Sequence, residues 1–436
     1  MRIAIIGGGI AGMMSWYLLQ RQHQVTLFEA NDYLGGHTAT VDVKVDGKDF
    51  AIDTGFIVYN NWTYPLFNTF LAELGVEGLH TDMSFAVRHD GGNLEYNGHT
   101  FATLFAQRRN MLRPSFWRML LDIVRFNKLA KSLLAENSTD LDLAIDAFLQ
   151  KHGFGRELRD HYLLPMGAAI WSAGLTAMPA FPLRFFLQFC KNHGLLNISD
   201  RPQWSVIKGG SRSYVQRLLQ VLDPAQLRLS SPVKQVVRDA EGVTVHLPDG
   251  SSERFDKVIF ACHSDQALAL LAQPSHAEQE VLAGIAYQPN DVVLHTDTAL
   301  LPKRRAAWAA WNYLLDNSQS ERATLSYNMN ILQRLPEAKT GQDLTFVVTL
   351  NASDKISPEK ILRRFSYAHP VYNHQTLRSQ QRRHEINGQQ HSYFVGAYWY
   401  NGFHEDGVRS AVDVAAQLGV TFQADARFVR AAGTPA

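Results

Sequence analysis

Apolar residues at the start of the chain come in short unbroken runs, which suit strands buried on both faces. Arg2 to Ile6 is one such run, and Val25 to Phe28 is another. Between them, Ile10 to Gln20 reads as a helix. The β pattern returns much later, at Leu227 to Leu229, Val233 to Val237, Val243 to Leu247 and Lys257 to Ala261. Glu241-Gly242 and Pro248-Asp249-Gly250 supply the turns between these runs. Tyr214 to Leu222 is helical in pattern, and His391 to Ala397 is a last strand followed by a last helix. In the middle of the chain Phe116, Leu120, Ile123 and Ala130 share one face at helical spacing.

The link between the first strand and helix is G-x-G-x-x-G at Gly7, Gly9 and Gly12. Gly7 makes the tight turn, Gly9 admits a pyrophosphate to the backbone, and Gly12 lets helix and strand pack closely. Unpaired N–H groups at the start of the helix, around Ile10 and Ala11, favour the anion. Glu29 ends the second strand about 20 residues after the turn, where a carboxylate accepts ribose hydroxyls and disfavours a 2′-phosphate. Ala30 follows it at the same edge. The set predicts a pocket for the adenosine diphosphate half of a dinucleotide. The chain has no second G-x-G-x-x-G, so NAD(P)H is not expected as a tightly bound partner.

Composition narrows this further. A chain of 436 residues that is 46% hydrophobic can bury a large core and is expected to fold as two interleaved domains. A net charge of +1 gives no field for nucleic acid. No apolar run approaches the ~20 residues of a membrane span, and the fold begins at Met1 with no room for a signal peptide. Cys190 and Cys262 lack metal-ligand spacing and read as thiols in a reducing cytoplasm. His295 and Asp297 share a strand face without further ligands, so no metal is expected. Arg108 to Lys131 carries seven Arg or Lys against one Asp. Segment 108–134 is either a helix packed inward or a peripheral contact with an anionic membrane.

Three separated stretches, about 1–65, 205–265 and 390–425, resemble in order the flavin-dependent amine oxidase superfamily, which includes phytoene desaturases. The wording GGHTATV, DTGFIVYNNWTYP and GAYWYNGFHEDG is similar to its bacterial branch of amine-oxidase-like NAD/FAD-binding proteins. The resemblance implies an α/β fold: a Rossmann-like FAD-binding domain of the GR2 type (1–65, 205–265 and 390–436) interleaved with a mixed α+β substrate domain (66–204 and 266–389). It places Gly36 and His37 beside the FAD pyrophosphate, with His37 standing where the family has arginine. Gly55 and Phe56 would pass under the flavin ring, and the backbone of Val233 would hold the adenine. Gly402, His404 and Glu405 would open a helix aimed at the flavin pyrimidine. His404 and Tyr398 are the candidates for groups at the ring; no catalytic acid or base is assigned.

The implied activity is FAD-dependent removal of hydride from a C–H bond of an apolar, fatty-acyl or other lipid substrate. Electrons would pass to oxygen, a quinone or a carrier. A flavin-dependent isomerase, an amine oxidase and a non-catalytic flavoprotein subunit are the alternatives.

Overall fold

A computed structural model describes residues 1–45, 47–315, 324–335 and 344–430. Its centre is a parallel sheet of β1 (Arg2–Ile6), β2 (Gln24–Phe28), β3 (Leu227–Arg228), β4 (Lys257–Phe260) and β5 (Ser392–Phe394), in the order β3-β2-β1-β4-β5. Side chains alternate across it. Ile3, Ile5, Val25, Leu27 and Ile259 face α1 (Ile10–Leu19) and α2 (His404–Gln417), which pack against each other. Ala4, Ile6, Phe28, Phe260 and Phe394 face an antiparallel meander of Gln235–Arg238, Val243–His246 and Ser252–Phe255. Burial on both faces is why these strands read as unbroken apolar runs. The strand Ser252–Phe255 was not expected; its only large apolar residue turned to the core is Phe255.

All five strands of the parallel sheet come from within 1–65, 205–265 and 390–436, of which 431–436 lie outside the described residues. The other large sheet has seven strands, with Ile361–Pro370 at one edge beside Tyr287–His295, and Phe85–His89 and Leu94–Asn97 at the other. A layer of helices including Pro114–Glu136, Leu164–Trp171 and Leu183–Asn192 builds its own core against it. Phe116 and Ala130 are buried there and Leu120 and Ile123 pack alongside, while Phe181, Phe186 and Phe189 fill the same core. A small sheet of Val58–Asn60, Trp204–Ile207 and Gly78–Thr81 crosses residue 65, where the sequence suggested a boundary. The architecture is a Rossmann-like α/β layer interleaved with a mixed α+β layer.

Residues 267–285, expected in the substrate domain, pack instead with the parallel sheet and the meander, and one ion pair ties them there. Arg238 Nη2 donates to Glu278 Oε2 at 2.9 Å, and Arg238 also reaches the Gln273 carbonyl and the Ser392 hydroxyl. The side chains of Arg238 and Glu278 are only 5% and 2% exposed, so deleting one partner strands the other charge in the interior. Glu278→Ala is expected to destabilise the fold by about 3–5 kcal/mol. Replacing both residues by Met or Leu should recover most of that loss. Urea unfolding of the two variants beside the parent checks it; equal stability of all three would show that the pair is not structural.

Candidate functional site

The turn after β1 leaves bare backbone where the parallel strands end. Gly7 has φ +110°, and a Cβ on Gly12 would fall 1.9 Å from the Gly7 oxygen, so neither position takes a side chain. At Gly9 an added Cβ would meet nothing within 4 Å: the backbone faces open space. No side chain caps α1 at Gly9, so the N–H groups of its first turn are available. Ile10 lies against Gly407, where an added Cβ would sit 2.7 Å from Ile10 Cγ2, and Ala11 is buried behind it. The first turns of α1 and α2 therefore converge.

Glu29 stands beside this cradle. Its Oε2 accepts the Gly8 N–H at 2.7 Å, and its Oε1 accepts the backbone and side-chain N–H groups of Asn31 at 2.9 and 2.8 Å. Ala30 is exposed next to it. Val233 is half-buried, two residues past Ser231, whose N–H donates to the Glu29 carbonyl. The adenosine-side residues expected from sequence are thus gathered at one strand edge.

The glycine pair closes the cradle from the other side. Gly35 N–H donates to the Gly8 carbonyl, and an added Cβ on Gly36 would lie 3.1 Å from Gly9 Cα. The His37 carbonyl takes the Phe56 N–H, and an added Cβ on Gly55 would lie 2.1 Å from that same carbonyl. Nε2 of His37 is buried with no partner among the described residues. The ring lies 6.1 Å from His263, 5.6 Å from His369 and 5.1 Å from Tyr367. Burial, then the imidazoles of His369 and His263, push the His37 pKa down to about 3. Burial likewise pushes His369 down to about 4. His263 stacks on Tyr287 at 4.3 Å, and the Tyr287 ring in turn lies 6.4 Å from Tyr398.

The beginning of α2 supplies the remaining wall. Gly402 has φ +91°, and a Cβ there would come 2.5 Å from the Tyr372 hydroxyl. His404 is buried, stacks on Phe56 at 3.7 Å and is hydrogen-bonded through Nε2 to the Tyr214 hydroxyl at 2.9 Å. Burial pushes its pKa down to about 3. Both oxygens of Glu405 accept N–H groups of helix Pro65–Glu73, from Leu66 at 2.9 Å and Phe67 at 2.8 Å. Glu405 thus holds that helix. Tyr398 is buried in the core behind the sheet, its hydroxyl without a partner among the described residues.

A cleft of about 480 Å³ abuts the first turn of α2, lined by Trp62, Tyr64, Leu66, His193, Phe403 and Arg409 among others. Part of the polar aromatic run Tyr59 to Pro65 reaches this cleft. Elsewhere polar side chains have structural partners. Lys208 pairs with Glu77 on the surface. His295 bonds Thr349, and Asp297 accepts from Ser357 N–H and Lys360. No group of three His, Cys, Asp or Glu among the described residues could hold a metal.

Sequence reasoning missed His263, His369, Tyr367 and Asp53. Asp53 is buried and accepts from the Thr40 hydroxyl at 2.6 Å and from Ser211 N–H and hydroxyl at 2.9 and 2.8 Å. It locks the first stretch of the chain to the Gly209-Gly210 turn. His263 follows β4 at the carboxyl edge of a parallel sheet, where ligands bind, and that position was a readable signal. His369 reaches the site only through the pairing of Tyr287–His295 with Ile361–Pro370.

The residues fit a dinucleotide: an open cradle of amides, a carboxylate at the ribose edge and an orphaned imidazole on the opposite side. Comparison with known proteins agrees with that geometry. The flavin containing amine oxidoreductase family model matches residues 10–367. A probable flavin-containing monoamine oxidase A of Dictyostelium discoideum is 24% identical over 277 residues, covering 59% of this chain and 56% of that protein. The chain thus spans little more than half of that curated relative. Putrescine oxidase bound to putrescine has the same fold, with TM-score 0.69, 14% identity and 96% and 99% of the two chains covered. So does a conjugated-linoleic-acid-producing fatty acid isomerase from P. acnes, with TM-score 0.68, 16% identity and the same coverage. The chain therefore belongs to the flavin-containing amine oxidoreductase family, whose cofactor is FAD.

Proposed function

We propose that the chain is an FAD-dependent oxidoreductase that removes hydride from a C–H bond of an apolar substrate, a fatty-acyl or other lipid chain. The observation that carries this reading is the wall of uncharged rings beside the cradle. His263, His369 and His404 all have their pKa lowered by burial, and Tyr367, Tyr287 and Phe56 complete the surface. Neutral rings leave no fixed charge beside the reacting group, which suits an apolar chain; aromatic faces also attract an ammonium, so the assay against amines decides between the two. FAD, when bound, accepts the hydride; the protein's part is to orient the substrate and exclude water.

In this reading Gly7, Gly9, Ile10, Ala11 and Gly12 hold the diphosphate, with Gly36 and His37 on its far side. Glu29 and Ala30 take the ribose, the Val233 backbone takes the adenine, and Gly55 and Phe56 lie along the ring. Gly402 and His404 act through backbone N–H groups, since the His404 side chain is engaged by Phe56 and Tyr214. Glu405 positions helix Pro65–Glu73. The cleft at Trp62 and Phe403 is the route for substrate. Oxygen, a quinone or a carrier protein would reoxidise the cofactor.

The shared fold of a fatty acid isomerase keeps a second reading in play, in which the cofactor ends each turnover oxidised. Anaerobic mixing with fatty acids, acyl lipids and primary amines separates them. Loss of flavin absorbance with a lipid substrate is the expected result; lipid conversion with no bleaching would mean isomerisation, and bleaching by amines alone would overturn the lipid reading.

Gly9→Val should abolish FAD retention and leave folding intact, because the added side chain enters open space that no protein atom occupies. Absorbance of the purified variant reads this, and stoichiometric flavin would show that the diphosphate lies elsewhere. Affinity for FAD should also depend on pH. His37 is neutral in the free protein, and a diphosphate beside it raises its pKa, so binding takes up a proton. That contribution is fully present below the free value of about 3 and is lost as pH rises through the value in the complex. The dissociation constant should therefore rise as pH is raised above about 3, until it passes the value His37 takes in the complex. His37→Arg should bind tightly with no slope, and fluorescence titration of the apoprotein checks both.

A further inference from the structure

Helix Pro114–Glu136 carries two apolar stripes. Phe116, Met119, Phe126, Ala130 and Leu133 form the buried one. Trp117, Leu121 and Val124, at i, i+4 and i+7, face outward. Leu121 is 69% exposed, and beside the start of the helix Leu112 is 87% and Phe101 73% exposed, with Met111 next to Leu112. Contacts tie Trp117 to Met111 and, through the buried Phe105, to Phe101, while helical spacing puts Leu121 and Val124 on the same side as Trp117. The Trp117 indole N–H donates to the Met111 carbonyl at 2.8 Å, its ring lies 5.5 Å from Phe105, and Phe105 lies 4.8 Å from Phe101. Six of the fourteen exposed large apolar side chains among the described residues fall between Phe101 and Val124. Scattered exposed leucines need no explanation; a contiguous patch does.

The rim of the patch is cationic. Arg108, Arg109, Arg118, Arg125, Lys128 and Lys131 are all exposed around it. Glu157 and Asp122 neutralise Arg118 and Arg125, so the excess positive charge of the rim rests on Arg108, Arg109, Lys128 and Lys131. A second copy of the chain would bring two cationic rims face to face, because a two-fold interface joins a patch to itself. A bilayer with anionic headgroups meets both needs, neutralising the rim and accepting the apolar side chains below the headgroups.

We propose that this face docks on the surface of an anionic lipid bilayer, with Phe101, Leu112, Trp117 and Leu121 entering the interface. Docking does not require the substrate to be a lipid, so it stands or falls apart from the function proposed above. It would nonetheless place the helical layer that holds Leu183–Asn192, whose end lines the cleft, against a reservoir of apolar molecules.

The test is co-sedimentation of the FAD-loaded protein with vesicles of phosphatidylcholine alone and of phosphatidylcholine mixed with phosphatidylglycerol. The expected result is binding to the anionic vesicles, weakened by salt. Leu112→Ser combined with Leu121→Ser should reduce the partition coefficient on the order of tenfold while leaving flavin absorbance and thermal midpoint unchanged. Light scattering accompanies it. Equal vesicle binding by parent and variant would overturn the assignment of this face, and so would absence of any preference for anionic vesicles. A dimer that the double substitution dissociates, with no vesicle binding by either protein, would make the partner a second copy and likewise overturn it.

Discussion

The molecule is organised around backbone amides that no side chain covers. Gly7 and Gly12 are so closely packed that a methyl group on Gly12 would overlap the Gly7 oxygen, yet Gly9 between them opens onto empty space. That combination brings β1 and α1 together tightly enough to point a helix N-terminus at one spot while leaving room there for an anion. Gly407 performs the matching service for α2, letting its first turn settle against Ile10. Two helix termini on distant parts of the chain thereby share one region of positive potential.

Holding those parts in register falls to buried polar contacts. Asp53 joins the first stretch to the second through Thr40 and Ser211, and burial pushes its pKa up to about 6. Tyr214, on the helix that follows Ser211, is hydrogen-bonded both to Thr38 and to His404 at the head of α2. Arg383 reaches from before β5 to Asp413 and to the Phe394 and Ser410 carbonyls. The Asp53–Ser211, Thr38–Tyr214 and Tyr214–His404 contacts bridge segments far apart in sequence, and a buried polar group that loses its partner costs more than an exposed one. Disturbing any of them would move the cradle as well as the core.

Local features were readable from sequence and tertiary ones were not. β1, α1, β2 and Glu29 form one contiguous unit whose turn chemistry and spacing follow from residue identity, and the structure places them within one or two residues of expectation. The inward stripe of helix Pro114–Glu136 was equally plain from its period. Its outward stripe was not, because Trp117, Leu121 and Val124 keep the same helical spacing and only packing decides which stripe is covered. His369 joins His37 through a strand pairing that no local pattern announces. Glu405 looked like a group for the cofactor because of its place at a helix start, whereas its oxygens turn to a neighbouring helix.

The acids at the head of α2 raise an electrostatic question that burial answers. A helix N-terminus that stabilises negative charge on a reduced flavin should not carry ionised carboxylates in its first turn, since they would cancel its dipole. Burial pushes Glu405 up to about 8 and Asp406 up to about 7. Burial, the largest influence on both, favours their neutral forms. Yet both still serve as hydrogen-bond acceptors, Glu405 for Leu66 and Phe67 and Asp406 for the Phe403 N–H at 2.9 Å. The fold obtains capping and helix-to-helix attachment from these groups with much of their charge suppressed, and the positive end of α2 survives where an electron-rich ring would need it.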